Sequence, residues 1–381
     1  MSVSFLILLL LMVVSACSSP SPPPPDVSEP DIDFSLMAPA EFELSDFTRV
    51  VKSQKFTVSG DVRGYLFENC EVSISGNDLE IRESKFVNTQ VFVGNSINVT
   101  FNKDIFEGLN LYEKAALSIN DSTGISVWNC QFLDNYIGLG IHSSRAYVAS
   151  TRFVNNNGHN ALVIGERSYA IVEYNYFYGS FPHAILVMNR EALAGAYVGI
   201  SFNIIESTGE DAIDFEDYRD ASPSIVRNNF IVDTGWSAIV VEYNSWDAHI
   251  AITDNWIENT GISWSLPVHS LQTDVFQPGW GHGIMIEDST HVVVARNNIK
   301  AARENGIEVR NGQDITLSGN IIDCEQIAVA AYRYRESSLT RAFSPLWPDR
   351  AGGSKVNTSG NIISGAQQEY ESDEASELSI E

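Results

Sequence analysis

Gly209-Glu210-Asp211-Ala212-Ile213-Asp214-Phe215-Glu216-Asp217 decides the fold, because close copies of it recur along the chain. Downstream stand Ser237-Ala238-Ile239-Val240-Val241-Glu242, His282-Gly283-Ile284-Met285-Ile286-Glu287 and Asn305-Gly306-Ile307-Glu308-Val309-Arg310. Upstream the phrase reads Gly138-Leu139-Gly140-Ile141-His142, Ala161-Leu162-Val163-Ile164-Gly165 and Ala184-Ile185-Leu186-Val187-Met188. Within each copy apolar residues return at every second position, the period of a strand with one buried face. Recurrence predicts that these strands stack on one another.

A second phrase, Asn-x-(Phe/Ile), follows the first. It occurs at Asn175-Tyr176-Phe177, Asn203-Ile204-Ile205, Asn228-Asn229-Phe230, Asn255-Trp256-Ile257, Asn297-Asn298-Ile299, Asn320-Ile321-Ile322 and Asn361-Ile362-Ile363. Earlier turns place Ser84, Asp104, Cys130 and Thr151 at its first position. Most copies are twenty-odd residues apart, with two longer intervals of 42 and 41. Such a period, with two strands per repeat and a turn asparagine, describes a β-solenoid of about eleven coils. The asparagine is expected to take a left-handed backbone and to hydrogen-bond to its own copies along the column.

Together the two phrases resemble the repeat of the right-handed parallel β-helix proteins, the pectin-lyase-like superfamily, over about residues 60–365. The resemblance implies an all-β chain wound as one right-handed parallel β-helix. It does not imply a single activity, because that fold hosts lyases, hydrolases, epimerases, tailspikes and plain binding modules.

The expected organisation is a signal peptide over 1–16, a lipidated Cys17 with a Pro-rich linker to 45, and an N-terminal cap over 46–75. The β-helix would then run over 76–365 and end in a disordered acidic tail, 366–381. The apolar run Phe5–Val14 is too short for a membrane span, and Val14-Ser15-Ala16-Cys17 resembles a bacterial lipobox. That implies a protein of the cell envelope, lipid-anchored and facing the periplasm or the exterior. Ser18 to Pro25 reads as a semi-rigid spacer. Cys70, Cys130 and Cys324 are expected to be buried free thiols, since stacked coils hold the last two far apart.

Twenty-three basic residues against 49 acidic ones give a formal charge of −26. So negative a surface repels nucleic acid, anionic membranes and polyuronates unless cations bridge the contact. A monomer that meets the membrane only through its anchor, and a polysaccharide partner, are the expectations.

Candidate chemistry lies on the outward positions of the recurring strand. One column reads Gly140, Val163, Leu186, Asp214, Val240, Met285, Glu308, and the other His142, Gly165, Met188, Glu216, Glu242, Glu287, Arg310. In-register stacking would bring Glu216, Glu242 and Glu287 within about 5 Å of one another on consecutive coils. Like charges at that spacing need protonation, a cation or Arg310 to offset them. Trp236, Tyr243, Trp264 and Trp280 flank the file and suit sugar rings, while the acids suit hydroxyls or a glycosidic bond. The candidate catalytic set is therefore Glu242, Glu287, Glu216, Arg310 and His282. The simpler alternative is a row of solvated glutamates on an acidic rod.

Two local resemblances refine this. Glu210, Asp211 and Asp214, with Asp217, are similar to the calcium element of some β-helix pectate lyases, which implies Ca²⁺ as the one cofactor. Trp280-Gly281-His282-Gly283 resembles the Gly-His-Gly element of β-helix polygalacturonases, implying a supporting role for His282. The family's acidic pair on the preceding coil is replaced by Trp236-Ser237, and its Arg-x-Lys by Glu308-Val309-Arg310. For a lyase, Arg310 and then Lys300 would be the candidate bases. Two classes of function stay open: recognition of polysaccharide, with or without its cleavage, and a non-catalytic structural or adhesion rod of the cell envelope.

Overall fold

A computed structural model describes residues 40–44, 46–188, 197–218, 223–244, 248–262, 281–333 and 353–381. Three parallel sheets of thirteen strands each carry the described residues. One sheet runs from Arg49–Lys52 to Ile362–Ser364, the second from Lys55–Val58 to Gln368–Ser372, and the third from Val62–Arg63 to Glu377–Ile380. Each coil contributes one strand to each sheet, so the described residues form a right-handed parallel β-helix of thirteen coils. The about eleven counted from sequence fall short because the first and last coils carry degenerate copies of the phrases. None of the described residues forms a helix long and apolar enough to cross a membrane.

In-register packing fills the interior. On the first sheet Phe67, Phe86, Phe106, Phe132, Phe153 and Phe177 occupy one column, their rings stacked with centroids 4.6 to 5.0 Å apart. Ile205, Ile231, Ile257, Ile299 and Ile322 continue the same column. A flat ring or a β-branched chain repeats well at the strand spacing of about 4.8 Å, which keeps each residue type in its own file.

Beside this column runs a buried asparagine ladder. The backbone N–H and Nδ2 of Asn175 both donate to Oδ1 of Asn203, and the pattern passes through Asn229, Asn255, Asn297 and Asn320 to Asn361. Nδ2 also donates to a carbonyl of the preceding coil, as Asn203 does to Val172. The stacked amides are as the sequence predicted, but the left-handed backbone is not theirs. It falls one residue earlier, at Tyr174, Phe202, Asn228, Asp254, Arg296, Gly319 and Gly360. The copy read as Asn228-Asn229-Phe230 is accordingly shifted by one: Asn229 is the rung and Ile231, not Phe230, enters the core.

Two boundaries change. Residues 46–75 do not form a separate cap, since their strands already open all three sheets and pair in parallel with the next coil. Nor is 366–381 a disordered tail: Gln368–Ser372 pairs with Ile327–Tyr332, and Glu377–Ile380 with Lys355–Ser359. The composition misled because an existing sheet edge needs only backbone groups from its next strand, and acidic side chains at the last edge discourage further pairing. Cys70, Cys130 and Cys324 are buried free thiols, as expected. The signal peptide, Cys17 and the linker up to Pro39 lie outside the described residues.

Candidate functional site

The recurring phrase forms the second sheet, and its register is the predicted one. Ile185, Ile213, Ile239, Ile284 and Ile307 are paired in sequence and fully buried. One residue on, the outward column reads Leu186, Asp214, Val240, Met285, Glu308. Three residues on it reads Met188, Glu216, Glu242, Glu287, Arg310. Two residues before the isoleucine stands a third column, the corner residues His183, Asp211, Ser237, His282 and Asn305.

These carboxylates face outward but are unequally exposed to solvent. Asp214, Glu287 and Glu308 are each 5% exposed, and Glu216 and Glu242 are half-buried. Glu287 is thus no solvated surface glutamate, whereas Glu216 and Glu242 keep part of their surface in water. Burial disfavours the charged form, and like charges add to it.

The upstream half of the file is acid against acid. Burial, then Asp214, Glu287, Glu216 and Asp217, push the Glu242 carboxyl well above the usual range. Asp214 is raised in the same way, by burial and then Asp211, Glu216 and Glu210. Asp211 rises through burial, Glu210 and Glu242, although its Oδ1 accepts the Ser237 N–H at 2.9 Å. Burial lifts Glu210 to about 7. Between the two aspartates sits His183, Nδ1 3.7 Å from Asp211 Oδ2 and Nε2 3.7 Å from Asp214 Oδ2. Burial brings this imidazole down to about 4, so it is neutral and gives the acids no positive partner at pH 7. Among the described residues, Asp214 Oδ1 and His183 Nδ1 have no hydrogen-bond partner.

The downstream half is compensated. Arg310 is 9% exposed; its Nη1 lies 3.3 Å from Glu287 Oε2 and its Nε pairs with Glu308 Oε1. Burial raises Glu287 and Arg310 opposes the rise, leaving it at about 7. His282 is fully buried, with Nε2 3.4 Å from Glu308 and 3.6 Å from Glu304. Its Nδ1 accepts the Asn305 backbone N–H at 3.3 Å.

Residues 116–265 match the family described as "Right handed beta helix region", and residues 201–340 match "Periplasmic copper-binding protein (NosD)". The fold is that of a right-handed parallel β-helix. No curated protein matches it. Among solved structures, the periplasmic alginate epimerase AlgG shares 14% identity at a TM-score of 0.50, over 83% of this chain and 76% of that one. The catalytic domain of a GH87 α-1,3-glucanase in complex with nigerose shares 11% identity at a TM-score of 0.56, over 87% of this chain. This β-helix spans 63% of the glucanase chain.

Of the predicted site residues, the β-helix gathers Glu216, Glu242, Glu287, Arg310 and His282 on one face. Trp236 is half-buried at the corner, where its backbone N–H donates to the Glu210 carbonyl at 3.2 Å. Tyr243, half-buried, follows Glu242 in a left-handed turn at φ 56°. Trp264 and Trp280 lie outside the described residues, as do most of the two long insertions. Lys300 is on the first sheet, 3.9 Å from the Trp256 ring centroid, and so is no candidate base for this face. In the calcium set, Asp211 and Asp217 lie beyond opposite ends of Ile213–Glu216, too far apart for one coordination shell. Among the described residues no group of three or more His, Cys, Asp or Glu is placed to hold a metal ion. Sequence reasoning missed His183 and Glu304. The missing signal was alignment of the corner position, which shows polar residues at Asn160, His183, Asp211, Ser237, His282 and Asn305 together.

Proposed function

We propose that the acidic face binds a polysaccharide outside the cytoplasm and hydrolyses it, with Glu242 as general acid and Glu287 as its ionised partner. The observation that carries this is the split between two like residues on neighbouring strands. Glu242 is surrounded by carboxylates and keeps its proton well above the usual range, whereas Arg310 holds Glu287 at about 7. Opposed environments of this kind separate an acid from a base. Adjacent strands lie about 4.8 Å apart, near the roughly 5 Å separation of a double-displacement pair. Glu287 then attacks the anomeric carbon while the glycosidic C–O bond breaks and Glu242 protonates the departing oxygen. Water attacks the glycosyl ester next, giving its proton back to Glu242 and releasing Glu287. Glu308 holds Arg310 against Glu287, and Trp236 and Tyr243 border the sugar. The two likened β-helix structures are named for a polysaccharide epimerase and a glucanase, which supports the substrate class.

The test is a depolymerisation screen over many glycans, with and without Ca²⁺, reading products and their anomeric configuration by NMR. Retained configuration, and at least about a hundredfold loss of turnover in Glu242→Gln with binding preserved, are expected. Binding without product from the wild-type chain under any condition would establish the non-catalytic rod instead. Lipid anchoring at Cys17 belongs to the same reading. Cys17→Ala should move the protein from the membrane fraction to the soluble one, and an unchanged distribution refutes the anchor.

A further inference from the structure

Upstream of the acidic file the same outward face holds a cleft of about 630 Å³. Leu186 and Met188 line it and are the register partners of Asp214 and Glu216, so the cleft runs directly into the site. Its far end is lined by Glu71 and Ser73, five coils away, or about 24 Å at the strand spacing. The walls and floor are chemically unlike the acidic file. Gln90, Ser118 and Asn120 offer amides and hydroxyls, and Phe92, 42% exposed, offers a ring face. His142 lies across Gly165, where any Cβ would fall 2.0 Å from its Nδ1, so a glycine is what lets the imidazole cover the floor. Burial lowers His142 and His159, leaving both neutral at pH 7. Tyr136 lies between Tyr112, 73% exposed, and the lining residue His159. The charged lining residues are Glu71, Glu113 and Lys114.

We propose that the substrate is an uncharged polysaccharide whose chain continues from the acidic file into this cleft. This rests on the polysaccharide reading above and adds the substrate class and the direction of the chain. Neutral amides, hydroxyls and imidazoles match sugar hydroxyls in both donor and acceptor roles, and Phe92 matches an apolar sugar face. A polyuronate would bring a carboxylate on every residue to a cleft with one lysine, beside a buried row of acids on a chain of formal charge −26.

The test measures binding of the full chain to size ladders of uncharged gluco-, xylo- and manno-oligosaccharides, and to oligogalacturonate and oligomannuronate with and without Ca²⁺. At least one uncharged series should bind, tightening with length up to about five or six units, the number that 24 Å accommodates. Phe92→Ala and Ser118→Trp should each weaken the longest members about tenfold and the disaccharides little. Melting curves confirm that both variants fold. Tighter binding of uronates than of every uncharged series overturns the substrate class. Unchanged length dependence in both variants overturns the cleft, while loss of turnover in Glu242→Gln would leave the catalytic reading standing. If no glycan of either class binds, the polysaccharide reading itself falls and takes this inference with it.

Discussion

Glu242 and Glu287 occupy the same column one coil apart, and one residue, Arg310, makes them different. Its guanidinium lies against Glu287 and leaves Glu242 among carboxylates. The proposed reaction needs Glu287 ionised and Glu242 protonated, so kcat/KM should rise with pH through about 7 and fall again at higher pH as Glu242 loses its proton. Arg310→Met removes the group that opposes the rise of Glu287. Its ascending limb should therefore move to higher pH, while the descending limb, set by Glu242, moves much less. A pH–rate profile of the variant checks this, and an unmoved ascending limb would mean that Glu287 is not the ionised partner. The file of Glu216, Glu242 and Glu287 was legible in the sequence because a period of two leaves each residue only two faces, and repetition fixes which. His183 was not, because its column mixes asparagine, histidine, aspartate and serine and carries no apolar rhythm to mark it.

At the scale of the element, the ladder rather than any single strand sets the architecture. Asn255 donates from Nδ2 to the Val226 carbonyl at 3.0 Å and to Asn297 Oδ1 at 2.9 Å, and its Oδ1 accepts from both nitrogens of Asn229. Asn255→Ala strands several buried polar groups at once. At about 1–3 kcal/mol for each unsatisfied group, with water able to reach some of them, a loss of about 2–4 kcal/mol is expected. Ser84→Ala, at the N-terminal end of the same column, removes an acceptor from the Tyr65 N–H and should cost about 1 kcal/mol. Urea denaturation of both variants checks the order, and equal losses would refute a ladder that strengthens along the rod. The repeated asparagine was readable because in-register stacking rewards the same amide on every coil. Its conformation was not, since the left-handed residue before it is Tyr, Phe, Asn, Asp, Arg or Gly and shares no side-chain chemistry. The last coil escaped notice for a related reason: Gln368–Ser372 is held by backbone pairing on an existing edge, which leaves almost no trace in composition.

For the whole molecule, the raised carboxylates set how stability depends on pH. Glu210 and Glu287 titrate at about 7 in the folded chain, and Asp211, Asp214, Glu242 and Asp104 are all raised well above their ordinary values. In the unfolded chain the same groups titrate near 4. Between those limits these six carboxyls bind more protons in the folded state than in the unfolded one, so their contribution to stability decreases as pH rises; His183, lowered to about 4, opposes them only below about pH 6.5. The cost is absent below about pH 4, grows through pH 7 and levels off only above the highest folded pKa. This is opposite in sign to a protein whose carboxylates are held by cations, and the formal charge of −26 adds self-repulsion in the same direction. Tm measured at constant ionic strength should therefore fall between pH 5 and pH 8. Glu242→Gln should melt higher than the wild type at pH 8 and close to it at pH 5, because the amide never has to ionise. A Tm that instead rises over this range would mean that the acidic face is neutralised by a bound cation, and would move the chemistry of Glu242 and Asp214 from proton transfer to metal binding.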